Sequence, residues 1–158
     1  LFDEVSFTKL TIADLFASVS VSAADVMADI SLVVGTNFHA GLVLNLDSTS
    51  APANFVLTYV DRLAANVVCC KYVAGVPTQM FATSITYSSG AVLRVSKVGT
   101  GYRVYYNNSF VNNATIADAG IVSNTKHGLF STDPSNTLDN FILYATGSGG
   151  EYAIFDNY

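Results

Sequence analysis

The chain has 158 residues, of which 51% are hydrophobic and 12% are charged, and its net charge is −5. A chain of this length fits one domain that can bury a core without disulfide staples. Binding to a nucleic-acid backbone requires clustered Lys and Arg, whereas the seven basic residues here are scattered along an acidic chain, which excludes a nucleic-acid partner. No apolar run reaches the roughly 18 residues of a membrane helix, so we predict no membrane insertion.

The predicted elements are short strands separated by turn residues. Residues 13–22 alternate between apolar and polar side chains, which indicates a half-buried strand. A Ser-x-x-Asp pattern at Ser22 predicts one helical turn near residues 23–28. In the strand at 41–46, Leu42, Leu44 and Leu46 are expected on one face. The strands predicted after that turn lie at residues 30–34, 41–46, 54–60, 67–74, 78–86, 91–98, 102–107, 127–131 and 139–146.

This spacing of short alternating runs with Gly- and Asn-containing turns predicts an all-β fold, namely a two-sheet antiparallel β-sandwich. We expect less than about a tenth of the residues in helix, well below the usual share. One domain is predicted at residues 1–147, and the Gly-rich start of residues 148–158 indicates a C-terminal tail or linker. The predicted core between the sheets includes Leu93, Val95, Phe141 and Leu143.

Six segments, in this order, resemble the concanavalin A-like jelly rolls of the laminin G and pentraxin type: AGLVLNLD, NFVLTYVD, KYVAGVPT, GAVLRVSKVGTGYRVYYNN, KHGLFS and LDNFILYATG. The hairpin before YYNN and the HGLFS and LDNF segments match best, and the resemblance covers about residues 13–147. It implies a sandwich that is extracellular or on a virion surface, as one module of a longer protein that binds glycans or proteins. It transfers no binding site, because no calcium or sugar loop of the family matches this chain residue by residue.

The chain lacks the residues that glycosidase chemistry requires. The laminarinase-type relatives of this fold carry two catalytic Glu on one strand, whereas the two Glu of this chain, Glu4 and Glu151, lie at opposite ends. Asp47, Asp61 and Asp139 stand at strand ends and are interpreted as turn and capping residues. We therefore predict that the protein is not an enzyme.

No metal or cofactor pattern is present either. His39 and His127 lie outside any nucleophile motif and are expected to be packed or loop-bonded. The adjacent Cys69 and Cys70 point to opposite faces of a strand, so we expect one buried and one partly exposed thiol. The zinc, calcium-loop and nucleotide-binding motifs are absent, which predicts no metal and no cofactor.

Binding is a better prospect than catalysis, because nine Tyr and ten Phe supply aromatic surface on which a sugar ring can stack. Arg103 and Tyr105 share the strand face opposite Tyr102, Val104 and Tyr106, and are the predicted ligand-binding residues. Two Asn-x-Ser/Thr sequons begin at Asn107 and Asn113; they matter only in a eukaryotic secretory protein.

Two functions remain open. The first is a non-catalytic glycan-binding or adhesive module of a larger extracellular or virion-associated protein. The alternative is a structural, self-associating module of a phage tail, virion or extracellular assembly, because few charges and high hydropathy suit buried interfaces. The expected partners are glycans, or other copies and neighbouring domains of the same assembly. An exposed aromatic groove favours the first function, and a broad apolar patch favours the second. Because the chain begins at Leu1 with no leader-like segment, we interpret it as a fragment or a processed product.

Overall fold

The computed structural model describes residues 3–9, 15–146 and 152–155, with side-chain surroundings given for residues 16–146. The described residues form one short helix and thirteen strands: β1 (Asp3–Lys9), β2 (Leu15–Ser20), β3 (Val26–Val33), β4 (His39–Leu46), β5 (Phe55–Asp61), β6 (Asn66–Val73), β7 (Val76–Ser84), β8 (Ala91–Val98), β9 (Gly101–Tyr106), β10 (Ser109–Thr115), α1 (Ala119–Val122), β11 (Lys126–Ser131), β12 (Thr137–Ala145) and β13 (Tyr152–Phe155).

The strands form two antiparallel sheets, which confirms the predicted sandwich. Sheet A has the order β1-β2-β11-β4-β5-β6-β7, and sheet B has the order β10-β9-β8-β3-β12-β13. The four residues of α1 keep the helical share of the described chain far below a tenth. The helical turn predicted near residues 23–28 is wrong, because β3 already begins at Val26, where its pairing with β8 and β12 overrides the local capping pattern.

Alternation along the strands fills the space between the sheets. Leu93 and Val95 are 0% exposed, Leu143 is 2% exposed and Phe141 is 4% exposed, so the predicted core residues are confirmed. Sheet B extends beyond the predicted domain boundary at residue 147, because β13 pairs with β12. Whether residues 148–158 also lead into a further domain stays a prediction.

One prediction about β4 is corrected by a bulge at its end. Leu42 and Leu44 belong to the core between the sheets, but Leu46 packs in a second cluster on the outer face of sheet A. Asn45 between them has a φ of 54°, and the pairing of β11 with β4 shifts register at this point. A bulge adds a residue to one strand, so the side chains beyond it change face.

The bulge places Asn45 in a buried polar cluster at one end of the core. The Tyr102 hydroxyl donates to Asn45 Oδ1 over 2.9 Å, and Asn45 Nδ2 donates to the Ala24 carbonyl oxygen over 3.0 Å. The Asn45 backbone N–H donates to His127 Nδ1 over 3.3 Å, which leaves the proton on His127 Nε2, 3.0 Å from the Ala23 carbonyl oxygen. His127 is 0% exposed, and burial lowers its pKa to about 4. The expectation of a packed, bonded imidazole is confirmed.

Candidate functional site

Three neighbouring strands of sheet B present two rows of side chains on the outer face of the sandwich. Residues such as Leu93, Tyr102 and Val104 point into the core, so their neighbours in sequence point outward. Directly paired positions across β8, β9 and β10 form each row. We call this surface the β8–β10 face, and its rows are Arg94, Tyr105 and Phe110, and Ser96, Arg103 and Asn113.

An aromatic pair, one ring exposed and the other half-buried, lies at the open edge of this face. Phe110 is 58% exposed, and its ring meets the half-buried ring of Tyr105 edge-on, with centroids 5.7 Å apart. The intervening turn consists of Asn107 and Asn108, whose φ values of 49° and 64° are those of a tight hairpin turn that Asn tolerates. The hairpin therefore places Phe110 directly opposite Tyr105 in the strand register and leaves most of the Phe110 ring in solvent.

A groove of about 330 Å³ runs from Phe110 along the edge of the sandwich. The Asn112 side-chain amide donates to the Thr83 hydroxyl over 3.1 Å. This hydrogen bond connects β10 and β7, the edge strands of the two sheets, beside the groove. Hydroxyl and amide groups beside one aromatic ring are the combination with which proteins hold polar small molecules. Residues lining the groove include Thr83, Ser84, Thr86, Asn107, Ser109 and Phe110.

Charge on the same face is partly neutralised within the sheet. Arg94 donates two hydrogen bonds to Asp29 on β3, from Nε to Oδ1 over 2.7 Å and from Nη2 to Oδ2 over 2.6 Å. This pairing raises the pKa of Arg94 above its ordinary value, and Asp29 is only 8% exposed. Arg103, in the next row, is exposed, whereas Tyr102, Val104 and Tyr106 on the other face of β9 are buried. The two predicted ligand-binding residues, Arg103 and Tyr105, thus share the outward face.

The outer face of sheet A carries more aromatic side chains, but they are closed to a ligand. Its central side chains are 5% exposed or less, and the ring of Phe55 stacks on that of Tyr72 with centroids 4.3 Å apart. Among residues 16–146, Tyr59 and Tyr72 pack against this cluster and are partly exposed. The buried members of this cluster are Phe16, Val43, Leu46, Phe55, Leu57 and Phe130.

The strand-end carboxylates make local hydrogen bonds, as the turn interpretation expects. Asp61 Oδ1 accepts from the Ala64 backbone N–H over 2.9 Å, and Asp139 Oδ1 accepts from the next backbone N–H over 2.8 Å. Asp47 accepts from the Ala53 N–H and from the Asn54 side chain. Burial opposes the ionised form of Asp47, but these hydrogen bonds prevail and lower its pKa.

His39 lies at the end of β4, away from the β8–β10 face. Its Nε2 is 3.6 Å from Asp61 Oδ2, and its ring centroid is 5.1 Å from that of Tyr59. Its backbone N–H donates to the Thr132 hydroxyl over 2.9 Å. The ring contact with Tyr59 agrees with the packed form of the packed or loop-bonded imidazole that was predicted for His39.

The expectation for the two cysteines needs a correction. Cys69 lies in the core and Cys70 on the outer face of sheet A, but both are buried, at 0% and 8% exposure. The partly exposed thiol is therefore absent, because Cys70 sits beside the closed aromatic cluster rather than in solvent. Burial raises the pKa of Cys69 to about 12 and also raises that of Cys70.

Across residues 3–9, 15–146 and 152–155 no three His, Cys, Asp or Glu side chains converge on a point where a metal ion would bind. In the same part of the chain, no helix has the length and apolar character needed to cross a bilayer.

Sequence reasoning predicted Arg103 and Tyr105 as site residues but not the other four members of the β8–β10 face. Phe110 and Asn113 belong to β10, whose sequence SFVNNAT does not alternate because its pairing shifts register after Phe110. The available signal was the Asn107-Asn108 pair, which closes a hairpin and so requires a returning strand. Arg94 and Ser96 belong to β8, and the partner of Arg94, Asp29, is 65 residues away, so no local pattern reveals that pairing.

Comparisons with solved structures show which known folds this chain resembles. The carbohydrate binding module CBM66 from Bacillus subtilis superposes with a TM-score of 0.72 at 17% identity, over 90% of this chain and 93% of that one. A tetrameric galectin from the ball sponge Cinachyrella sp. superposes with a TM-score of 0.60 at 12% identity, over 90% of this chain and 99% of that one. No family model matches the chain, and no curated protein matches it by sequence. The chain thus has the jelly-roll sandwich of these lectin-like structures.

An enzyme also has this sandwich. The Crh5 transglycosylase superposes with a TM-score of 0.53 at 14% identity, over 78% of this chain and 56% of that one. Because the fold occurs in both binding modules and enzymes, function has to be argued from the side chains on its surface. The narrower resemblance to laminin G and pentraxin domains stays a prediction.

Proposed function

We propose that the protein is a non-catalytic glycan-binding module whose site is the β8–β10 face and the groove beside it. The observation that supports this most is the Tyr105 and Phe110 pair, which offers an exposed ring next to Arg103 and Asn113. Stacking of a sugar ring on an aromatic ring provides binding energy, and adjacent polar groups provide selectivity. The likeness to a carbohydrate binding module and to galectins agrees with this proposal. Placement outside the cell or on a virion belongs to the same proposal.

The distribution of apolar surface favours this function over an assembly module. In residues 16–146 the large exposed apolar side chains are dispersed over separate turns and strand ends. Among them, only Val73 and Val76 occupy directly paired positions on neighbouring strands. A broad apolar patch, which an assembly surface would need, is therefore absent from this part of the chain. These side chains are Val33, Leu63, Val73, Val76, Val98 and Phe110.

One observation supports the alternative, a self-associating module of a phage tail, virion or extracellular assembly. Strand β7 forms an edge of sheet A, is mostly exposed and contains no charged residue. Natural edge strands usually carry charges that discourage pairing with another chain. Sedimentation velocity over a concentration series tests it: association that Gln79→Lys in β7 prevents would favour the assembly function, and a monomer at all concentrations would refute it.

The glycan-binding proposal is tested by glycan-array screening followed by calorimetric titration of the glycans retained. Tyr105→Ala and Phe110→Ala should each weaken binding several-fold to about tenfold, as expected for loss of one aromatic contact. Leu63→Ala is the matched control, because Leu63 is 70% exposed in the turn between β5 and β6 of the other sheet. Absence of binding by the wild type, or binding that neither aromatic variant weakens, would overturn the proposal.

A further inference from the structure

Resting on the proposed function, we infer that the glycan bound at the β8–β10 face carries an anionic group, a carboxylate or a sulfate, and that Arg103 binds it. The chain as a whole is acidic, so this selectivity would not follow from net charge. The expected selectivity depends instead on which basic side chains already pair with groups of the protein and which does not.

Within residues 16–146, Arg103 is the one basic side chain without a partner. Lys71 pairs with Asp118, Arg94 with Asp29 and Lys97 with Asp25. The Arg62 guanidinium lies 3.8 Å from the centroid of the Tyr87 ring, and Lys126 Nζ donates to the Asp47 carbonyl oxygen over 3.3 Å. Five of the six cations are thus held by groups of the protein, whereas Arg103 is exposed and keeps its donors free.

Among residues 16–146, the strands that carry Arg103 and its paired neighbours contain no acidic side chain. Strands β8, β9 and β10 contain no Asp and no Glu, and the cross-strand neighbours of Arg103 are Ser96 and Asn113. Asp29, on β3 beside Arg94, already accepts two hydrogen bonds from Arg94. The β8–β10 face is therefore locally positive.

The groups around Arg103 suit an anionic sugar better than an isolated anion. The planar guanidinium donates two parallel hydrogen bonds to a carboxylate or sulfate. The Ser96 hydroxyl and the Asn113 amide start from Cβ atoms about 5 Å away, the usual cross-strand spacing, and neither makes a side-chain hydrogen bond in the described chain. Tyr105 lies two residues along β9, about 7 Å away, which is the distance that lets one sugar ring reach both an aromatic side chain and Arg103.

The experiment compares sugars that differ only in charge. Calorimetric titrations use a hexuronic-acid oligosaccharide and its methyl ester, and a sulfated hexose oligosaccharide and its desulfated parent, each at two salt concentrations. We expect the charged member of at least one pair to bind about tenfold or more tightly than the neutral member, because hydrogen bonds to charged groups are stronger. This preference should shrink at high salt.

Variants then assign the preference to Arg103. Arg103→Gln should remove the preference for the charged sugar. Arg103→Lys should retain only part of it, because an ammonium group cannot donate the two parallel hydrogen bonds of a guanidinium. Arg62→Gln is the control, since it makes the same change in net charge in the turn between β5 and β6 of the other sheet. Thermal melting of each variant checks that the fold is kept.

The outcomes separate this inference from the function on which it rests. If no glycan of any kind binds, the proposed function fails. If neutral and charged sugars bind equally, or if Arg103→Gln leaves the preference intact, the inference about an anionic glycan is wrong. The proposal that the protein binds glycans would not be affected by that result.

Discussion

Acidification to pH 5 should destabilise the protein, because His127 stays neutral in the folded chain and gains a proton when the chain unfolds. In the folded chain the imidazole is buried and neutral: its Nδ1 accepts from the Asn45 backbone N–H, and burial lowers its pKa to about 4. The nearby Lys97 cation adds to the shift, while the hydrogen bond to Ala23 opposes it. In the unfolded chain the group titrates near pH 6.5 and so binds more protons.

The sign and size of the change in the free energy of unfolding follow from this difference between the folded-state and unfolded-state pKa of His127. The stabilising contribution is fully present above pH 6.5 and is lost progressively as the pH falls towards the folded-state pKa. The free energy of unfolding should fall by about 2 kcal/mol between pH 7.5 and pH 5, and by about 3 kcal/mol at pH 4. Pairing and hydrogen bonding lower the pKa of Asp25 and Asp47, so their contributions are lost only at more acidic pH.

Urea unfolding followed by circular dichroism at pH 7.5, 6 and 5 measures this slope. His127→Gln should flatten it, because the side chain no longer titrates. His39→Gln is the matched control, since His39 is the only other histidine and its side chain is 36% exposed. A free energy of unfolding that does not change between pH 7.5 and 5, or a slope that His127→Gln retains, would refute the reasoning.

Three further outcomes are expected. Leu93→Ala should lower the free energy of unfolding by about 2 to 5 kcal/mol, whereas Tyr105→Ala on the outer face should change it by under about 1 kcal/mol; equal losses in urea unfolding would contradict the assigned faces. Tyr102→Phe should cost about 1 to 3 kcal/mol, because Asn45 Oδ1 loses a buried donor, and no measurable loss would argue against this hydrogen bond. The Cys69 and Cys70 thiols should react with a thiol-specific reagent at pH 8 only after addition of denaturant; prompt reaction of the folded protein would show that one of them is accessible.

The sequence predicted the fold where alternation is regular. In β8, Leu93 and Val95 alternate with Arg94 and Ser96, and the buried and outward positions are as expected. Such alternation follows directly from the pleat of a strand, so local sequence suffices. The prediction failed at the bulge in β4, because the φ of 54° at Asn45 depends on partners in β9 and on His127, which are distant in sequence.

The candidate site was predicted in part for the same reason. Arg103 and Tyr105 lie on one strand, so their common face could be read from spacing. Phe110 was missed because β10 is an irregular edge strand, and the neutralisation of Arg94 by Asp29 depends on the pairing of β3 with β8. Register between strands is a long-range property. That Arg103 lacks a partner, whereas the other five cations of residues 16–146 have one, depends on such long-range contacts and not on local sequence.

The central claim is that a glycan binds on the outer face of sheet B, and a nuclear magnetic resonance titration tests it most directly. On addition of a glycan retained on the array, amide resonances of β8, β9 and β10 around Arg103, Tyr105 and Phe110 should shift progressively. Those around Tyr59 and Tyr72 at the margin of the closed cluster on sheet A should stay unchanged. Shifts centred on Tyr59 and Tyr72, with none at Tyr105 and Phe110, would contradict the account.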